Sequence, residues 1–387
     1  MSNNNKTPAI RFKGFTDTWE QRKLGECAEF NPKSELPDIF EYVDLESVVG
    51  TDILSHRTES KSSAPSRAQR LAQKGDVFYQ TVRPYQKNNC IFENDENNWV
   101  FSTGYAQLRP VNDGYFLLTL LQNEDFVKLV LDRCTGTSYP AINSNDLADI
   151  DVNIPINNLE QQRIGDYFRN LDSLITLHQR KYDKLTNVKK SMLEKMFPQN
   201  GSNAPEIRFK GFTEAWEQRK FSDLVQIERG GSPRPIDDFI TDSPDGLNWV
   251  KIGDAPAQGN YITKTAEKIK PEGLSKTREV HPGDLILSNS MSFGKPYIMG
   301  IDGCIHDGWL LIRNTYKVFD LTFLCHLLGT PQMIIQYKSL AAGSTVNNLN
   351  KELVGNTVVT IPTIKEQRVL GQYLETLDNL ITLHQCE

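Results

Sequence analysis

The chain has 387 residues, of which 38% are hydrophobic and 24% charged, and its formal net charge is −6. That length exceeds the usual limit for a single hydrophobic core, and the ordinary composition excludes a disordered or fibrous protein. No apolar run approaches the roughly 18 residues of a membrane span, and the polar N-terminus lacks a signal-peptide core. We therefore expect a cytoplasmic protein of two or more domains with no membrane segment.

The charge distribution and the cysteine spacing limit the kinds of binding site that can be expected. Residues 10–159 carry 15 Lys and Arg against 22 Asp and Glu, whereas residues 160–198 carry 8 against 5. Phosphate contact needs a local positive face rather than a positive total, so this charge neither favours nor excludes nucleic acid. An acidic first half suggests that a more basic subunit shares any bound duplex. The cysteines form no CxxC pair, which argues against a metal site or a disulfide framework; they are Cys27, Cys90, Cys134, Cys304, Cys325 and Cys386.

An internal repeat is the main observation. IRFKGFTDTWEQRK at 10–23 returns as IRFKGFTEAWEQRK at 207–220, and LDSLITLHQ at 171–179 returns as LDNLITLHQ at 377–385. Two such blocks in the same order indicate a tandem duplication. The intervening segments align only at weak landmarks. We interpret the chain as a fixed scaffold carrying two variable domains, with boundaries at 1–158, 159–198, 199–363 and 364–387.

The first variable segment is predicted to be mixed α/β. A Gly-Asp turn opens an apolar strand at 75–80, and an apolar helical pattern covers 115–132. Polar and aromatic side chains that could read base edges or contact phosphates follow the strand. The alternative is an ordinary solvated loop. The candidate DNA contacts here are Tyr79, Gln80, Arg83, Tyr85, Gln86 and Lys87.

The segment 159–197 is predicted to be one long helix that Pro198 ends. Positions spaced by four and three residues from 164 to 196 are apolar or aromatic in eight of ten cases, a pattern typical of a coiled-coil seam. His178 and His384 share one seam position, where a register-fixing polar residue is favoured over a metal ligand. The predicted partner helix is 364–387, shorter than the first. Seam candidates are Ile164, Phe168, Leu171, Ile175, Tyr182, Leu185, Leu374, Leu377 and Ile381.

The second variable segment repeats the mixed α/β pattern, with strands predicted at 285–288 and 309–312. A helical pattern at 320–340 is expected to break at Pro331. The glycines at 230–231 could let backbone N–H groups approach a phosphate, although a plain turn is the alternative. Residues 136–139 and 343–345 could contact the DNA backbone, but plain turns are favoured. Candidate contacts are Ser232, Arg234, Ser288, Asn289, Ser290, Ser292 and Lys295.

With both repeats in view, the sequence resembles the specificity subunits of type I restriction–modification systems. The residues that carry the resemblance are the IRFKGFT…WEQRKLGE block, the EQQRIGDYFRNLDSLITLHQRK helix and ERGGSPRPIDDF…WVKIGD. It implies two α/β target-recognition domains separated by long antiparallel coiled-coil helices. Each would read half of a bipartite, asymmetric site in double-stranded DNA, beside two methyltransferase subunits and restriction subunits. The short distal helix departs from this pattern.

Catalytic signatures are missing from the sequence. The Walker phosphate loop, the amino-methyltransferase tetrapeptide, HExxH and GxSxG do not occur. A non-catalytic chain without a cofactor is therefore expected. Two alternatives stay open: a coiled-coil protein–protein adaptor, and a stand-alone DNA-modifying enzyme with a cryptic site.

Overall fold

The computed structural model describes residues 8–136, 138–199, 201–289, 294–342 and 348–385. The chain divides into unit 1, Met1–Ile175, and unit 2, Thr176–Glu387. The boundary between the units falls inside the long central helix and not at a loop. The four domain boundaries proposed from the sequence stay a prediction.

Unit 1 is built from short strands and four short helices among its described residues. The helices are α1 (Leu24–Cys27), α2 (Gly114–Gln122), α3 (Glu124–Leu131) and α4 (Ser144–Ala148). The strands are β1 (Glu20–Lys23), β2 (Ala28–Phe30), β3 (Ile39–Val43), β4 (Val48–Val49), β5 (Asp52–Ile53), β6 (Arg57–Ser60), β7 (Ala68–Leu71), β8 (Val77–Gln80), β9 (Cys90–Ile91), β10 (Trp99–Ser102), β11 (Tyr105–Pro110) and β12 (Asp151–Ile154).

Two four-stranded sheets, ordered β2-β11-β8-β9 and β6-β3-β10-β7, form the centre of unit 1. Every residue of β8 is buried because both faces of this strand are covered. Side chains of a strand alternate between faces, so Val77 and Tyr79 pack with the helices whereas Phe78 packs with Phe101 of the other sheet. This double burial explains the continuous apolar run that the sequence has here.

The central helix α5 (Asn158–Lys195) begins in unit 1 and ends in unit 2, and unit 2 repeats the same kinds of element. Its helices are α6 (Leu321–Leu328), α7 (Pro331–Ala342), α8 (Lys351–Gly355) and α9 (Ile364–Gln385). Its strands are β13 (Glu217–Lys220), β14 (Gln226–Arg229), β15 (Leu247–Val250), β16 (Tyr261–Ile262), β17 (Glu267–Ile269), β18 (Arg278–Val280), β19 (Leu285–Ser288), β20 (Pro296–Met299), β21 (Gly303–Ile305), β22 (Trp309–Arg313) and β23 (Val358–Ile361).

The main sheet of unit 2 has the order β14-β22-β19-β20-β16, and a second sheet has the order β17-β15-β21-β18. Strand β19 is buried on both faces, as β8 is in unit 1. The predicted strands at 285–288 and 309–312 are confirmed, and the predicted break at Pro331 is where α7 begins. Asp320 caps α6 by accepting a hydrogen bond from the Phe323 N–H at 3.1 Å.

The duplicated blocks close each unit in the same way. In unit 1, β1 pairs antiparallel with β12, and Arg11 Nη2 donates to Glu160 Oε2 at 2.7 Å. In unit 2, β13 pairs antiparallel with β23, and the matching guanidinium–carboxylate distance is 2.8 Å. The indole N–H of Trp19 also points at Glu160, and that of Trp216 at the buried Glu366. The tryptophan was expected to pack in the scaffold because it is identical in both halves, and this role accounts for both contacts.

Within unit 2 the second half of α5 runs antiparallel to α9. His178 Nδ1 lies 3.0 Å from His384 Nδ1. About three turns further along α5, the ammonium of Lys189 forms an ion pair with Asp378, which precedes His384 in α9. Burial by itself raises the pKa of Asp378, but a hydrogen bond from His326 and the charge of Lys189 lower this pKa below its ordinary value. The side chains of Leu185 and Met192 pack on the core that contains Leu374 and Leu377.

The predicted fold class is confirmed: the units are mixed α/β, the repeat is in tandem, and a long helix lies between the variable segments. The sequence predicted this helix at 159–197, and the structure has it at 158–195. Among the described residues, no helix combines the length and the apolar character that crossing a membrane requires.

Candidate nucleic-acid interface

In unit 1 the candidate contacts lie where β8 ends and a tight loop begins. Arg83 and Lys87 both adopt left-handed backbone conformations, with φ of 54° and 55°, on either side of a single 3-10 turn. Residues other than glycine rarely adopt this backbone conformation, so the conformation of the loop costs free energy. The Arg83 N–H donates to the Pro140 carbonyl at 2.8 Å and ties the loop to the segment around 140.

Gln80 is a buried polar side chain that faces this loop. It is 2% exposed, and its Nε2 donates to Gln86 Oε1 at 3.0 Å. Its Oε1 is buried and accepts no hydrogen bond from the described residues. A buried amide oxygen without a donor costs free energy on the order of 1–3 kcal/mol. A ligand that supplies an N–H donor would recover that cost.

Arg83 lies over the ring of Tyr139, with its guanidinium carbon 4.3 Å from the ring centroid. The ring is 63% exposed, so the pair lies at the surface of unit 1. The stacked guanidinium keeps its N–H groups free to donate in a fixed plane, which is the geometry that phosphates and guanine edges accept. For residues 136–139 a turn was favoured and contact with the DNA backbone was the alternative, so the stacking of Arg83 on Tyr139 was not predicted. The matching residues 343–345 lie outside the described residues.

The other candidates in this loop divide by exposure. Tyr85 and Gln86 are exposed, and Lys87 forms an ion pair with Glu124. Tyr79 is fully buried with its ring edge-on to Phe126 at 6.0 Å, and this burial raises the pKa of Tyr79. The prediction that Tyr79 contacts DNA is therefore withdrawn, because the alternation of β8 directs this side chain into the core.

A cleft of about 380 Å³ brings these side chains together on the surface of unit 1. The sequence did not indicate its other wall, which comes from the β4 region, because those residues are distant in the chain and carry no motif. Its lining includes Leu45, Glu46, Val48, Val49, Gln80, Val82, Arg83, Gln86, Asn88 and Tyr139.

In unit 2 the matching strand end is more tightly closed. Ser288 is fully buried, and its Oγ accepts from the Lys295 N–H at 3.0 Å; Asn289 is 4% exposed and donates from Nδ2 to the Asp307 carbonyl at 2.8 Å. The prediction that Ser288 contacts DNA is withdrawn because the side chain is inside the sheet. Lys295 lies over the Tyr297 ring at 5.0 Å. Ser290 and Ser292 lie outside the described residues.

The glycine-rich loop at 230–234 comes close to Asp307. Ser232 Oγ donates to Asp307 Oδ1 at 3.2 Å, while the Arg234 side chain is 80% exposed and 3.8 Å from the same carboxylate. The N–H groups of Gly230 and Gly231 donate to backbone carbonyls within unit 2, at 2.9 and 3.2 Å. The hypothesis that they bind phosphate is thus wrong for this conformation. No motif in the sequence had indicated Asp307.

The side chains predicted to form the coiled-coil seam differ in exposure between the two units. In unit 2, Tyr182 and Leu185 are partly buried, and Leu374, Leu377 and Ile381 are at most 7% exposed. In unit 1, Ile164 packs on the core and Leu171 is partly buried. The exposed fractions of Phe168 and Ile175 are 42% and 64%. No cluster of His, Cys, Asp and Glu suited to a metal ion occurs among the residues that the structure describes.

Comparison with known proteins gives a family match over both halves. The family model described as "Type I restriction modification DNA specificity domain" matches residues 16–187 and 213–387. The HindI specificity subunit of Haemophilus influenzae is 24% identical over 192 residues, which is 46% of this chain and 40% of that subunit. The MjaVIII specificity subunit of Methanocaldococcus jannaschii is 22% identical over 289 residues, which is 72% of this chain and 66% of that subunit. The matches thus span less than two thirds of both relatives.

Solved structures agree on the fold. The S subunit of a type I restriction–modification system from M. genitalium is 14% identical, with a TM-score of 0.63 and coverage of 98% of this chain and 94% of that one. A chain from a study of complex assembly in the type I R-M system is 23% identical, with a TM-score of 0.51 and the same two coverages. At these identities the likeness establishes the fold alone.

Proposed function

Because the chain belongs to the family of type I restriction modification DNA specificity domains, we propose that it reads a bipartite, asymmetric site in double-stranded DNA. Unit 1 reads one half-site and unit 2 the other. The chain itself is non-catalytic, and it directs methyltransferase subunits, two per complex, and restriction subunits to the site. It requires no cofactor of its own and acts in the cytoplasm.

The observation that supports this proposal is an identical scaffold around different loops. Both units use the same Arg–Glu ion pair with an indole N–H on the carboxylate. Where the corresponding strands end, unit 1 has Gln80 and Thr81 at the positions at which unit 2 has Ser288 and Asn289. Two domains that read different half-sites can share one scaffold, but they need different side chains at the base edges.

The cleft of unit 1 has the chemistry for direct readout. Arg83 offers paired N–H donors of the kind that read guanine, and the Gln80–Gln86 amides offer the donor and acceptor set that reads adenine. In unit 2 the exposed Arg234 and the partly buried Lys295 are the described candidates for phosphate contact. A positive residue that contacts only phosphate positions the protein without discriminating sequence.

The proposal is tested by expressing the chain together with its methyltransferase subunits in a host without other methylation and mapping the modified bases. We expect one gapped motif with two different halves. Methylation at an ungapped or palindromic motif would contradict the assignment of one half-site to each unit. Absence of any salt-dependent DNA affinity, with or without methyltransferase subunits, would favour the adaptor alternative. Methyl transfer by the purified chain alone would favour the enzyme alternative.

Arg83→Asn is expected to weaken binding to DNA that contains the unit 1 half-site and to relax the preference at one base pair. Asparagine tolerates the left-handed backbone at this position, so the variant removes the guanidinium without straining the loop. Loss of a base contact costs about 1–3 kcal/mol, roughly five- to 150-fold in affinity. Binding is measured by fluorescence anisotropy on a panel of half-site substitutions.

Lys74→Ala is the matched control for Arg83→Asn. Lys74 lies before β8, at the end of the strand opposite to Gln80, and its side chain forms an exposed ion pair with Asp95. It removes a positive charge from the same unit without touching the cleft. If both variants lost the same affinity for every DNA sequence, Arg83 would contribute only nonspecific electrostatic attraction and would not read a base.

A further inference from the structure

The duplicated helices carry opposite charges at one matched position. Residues 160–179 of α5 align without a gap with residues 366–385 of α9, and Arg169 corresponds to Glu375. It is the only position of this alignment at which a basic residue replaces an acidic one. A charge reversal within a repeated scaffold indicates that the two positions face different neighbours.

The matched positions also correspond in space. Asp113 caps α2 and Asp320 caps α6, each by accepting a backbone N–H hydrogen bond, at 2.7 and 3.1 Å. A Cβ at Gly165 would lie 2.1 Å from the Asp113 carboxylate, and a Cβ at Gly371 would lie 2.9 Å from that of Asp320. Each helix therefore passes the cap of its own unit at the same glycine, and the charge-reversed residue lies about one turn further on in both units.

In unit 1 this helix position holds the edge of the main sheet. Strand β9 is the last strand in the order β2-β11-β8-β9, and Glu93 follows it closely in the chain. Arg169 Nη2 donates to Glu93 Oε1 at 3.0 Å, and the guanidinium carbon lies 4.7 Å from the centre of the Tyr115 ring. The ring fixes the plane of the guanidinium, so that its N–H groups point to the carboxylate.

Unit 2 has a glycine where unit 1 has this glutamate. The two edge strands match in register, since a glycine N–H donates to the carbonyl of Phe92 in unit 1 and of Met299 in unit 2, at 2.7 and 2.8 Å. The next residues, Glu93 and Gly300, are therefore equivalent. The Gly300 N–H donates to the Ile262 carbonyl at 2.9 Å, because the additional strand β16 pairs with β20 here. A Cβ at Gly300 would lie 3.2 Å from that oxygen, so a glutamate would crowd β16.

The additional strand presents hydrogen-bond donors to the helix of unit 2. The Tyr261 hydroxyl donates to Glu375 Oε1 at 2.8 Å, and Asn260 Nδ2 donates to Asp378 Oδ2 at 2.7 Å. Burial and the Glu375 carboxylate raise the pKa of Tyr261, so the hydroxyl keeps the proton that it donates. Asp378 has the identical counterpart Asp172 in α5. Of these two acceptors, only Glu375 therefore distinguishes the helices.

We propose that the charge at this helix position, positive at Arg169 and negative at Glu375, determines which variable segment each helix accepts. Segment 24–153 presents a carboxylate and requires the guanidinium, whereas segment 221–360 presents a hydroxyl donor and requires a carboxylate. On the scaffold of unit 2, segment 24–153 would bring Glu93 against Glu375, and two carboxylates at close range repel each other. The proposal concerns how a segment docks on its helix, so it does not depend on DNA reading.

The test exchanges the two variable segments within the full-length chain, so that residues 221–360 follow β1 and residues 24–153 follow β13. This exchanged chain is compared with and without the double substitution Arg169→Glu and Glu375→Arg. In the exchanged chain we expect the substitutions to raise hydrogen-exchange protection, about five- to tenfold around Tyr261 and about two- to fivefold around Glu93, whose ion pair is exposed. In the native chain the same substitutions should lower protection by similar factors. A role in helix stability alone would have the same sign in both chains.

A charge exchange elsewhere on the same helices is the matched control. Gln162 and Arg368 correspond to each other, are both exposed, and lie about two turns, roughly 10 Å, before the charge-reversed position. Gln162→Arg together with Arg368→Gln should leave protection unchanged in both chains.

A second measurement uses the native chain alone, so it remains decisive if the exchanged chain does not fold. Glu93→Arg should lower protection around β9 about two- to fivefold, because it places two guanidinium groups together. Adding Arg169→Glu restores the ion pair with reversed polarity and should recover most of this protection.

The proposal is overturned if the double substitution fails to raise protection in a folded exchanged chain. It is also overturned if the control changes protection as much as the double substitution does, because the net charge of the helix would then be the cause. Failure of Arg169→Glu to recover the protection lost in Glu93→Arg would show that the two side chains are not coupled, and this result contradicts the proposal as well.

Discussion

Replacing residues 24–153 with the corresponding segment of another family member is expected to change one half of the methylated DNA site and to leave the other half and the gap unchanged. The exchange retains β1 and the ion pair between Arg11 and Glu160, which hold the variable segment in place. The ladder between β1 and β12 uses backbone hydrogen bonds, so a new β12 can form it. Each mismatched base pair costs about 1–3 kcal/mol, so modification of the original site should fall below detection when several bases change.

The reciprocal exchange of residues 221–360 is the control, and it should change only the other half-site. Both chimeras are expressed with the same methyltransferase subunits, and the modified motifs are read by methylation mapping. We assign base reading to the variable segments and the length of the gap to the helices. A chimera that alters the gap but keeps both half-sites would refute this assignment.

Glu366→Ala is expected to destabilise unit 2 by about 3–5 kcal/mol, the usual cost of removing one partner from a buried ion pair. The carboxylate is 3% exposed and accepts hydrogen bonds from the Arg208 guanidinium at 2.7 and 2.8 Å and from the Trp216 indole. Its removal leaves the buried Trp216 indole N–H and the Nε–H of the partly buried Arg208 without this acceptor, whereas Arg208 Nη2 still donates to the Glu214 carbonyl at 2.6 Å. Glu160→Ala should have the same effect on unit 1, where the carboxylate is fully buried.

The measurement is native-state hydrogen exchange by mass spectrometry, because a chain of two units does not have one free energy of unfolding. Each variant should lower protection in its own unit. Glu217→Ala is the control, since its ion pair with Arg219 is exposed and contributes at most about 1 kcal/mol. If Glu366→Ala behaved like Glu217→Ala, the repeated ion pair would not hold the scaffold together.

Features with a local cause were predictable from the sequence. The long helix was placed to within two residues at each end, because a seam spaced by four and three residues and a proline at its end are local signals. The strand at 285–288 and the restart of the helix at Pro331 are of the same kind. The repeat also identified Trp216 as scaffold, since two readers of different sequences would not share a reading residue.

The candidate site was only partly predictable. The composition of residues 79–87 indicated a loop that lines the cleft of unit 1, but Tyr79 is in the core because β8 is covered on both faces. The contact between Arg83 and Tyr139 joins residues that are 56 positions apart, and no periodicity links them. The glycines at 230–231 were read as a phosphate loop, yet a Cβ at Gly230 would lie 2.2 Å from the His306 carbonyl oxygen. They are glycines because another backbone passes there.

The amino-acid sequence alone determined that this protein is a tandem repeat of two mixed α/β units with a long helix between the variable segments, because repetition and hydrophobic periodicity are properties of the chain itself. Tertiary structure decided which of two nearly identical helix faces is covered. Leu374 is buried and Phe168 is exposed, although their flanking sequences match. Burial depends on what packs against a side chain, and that partner is specified elsewhere in the chain or outside it.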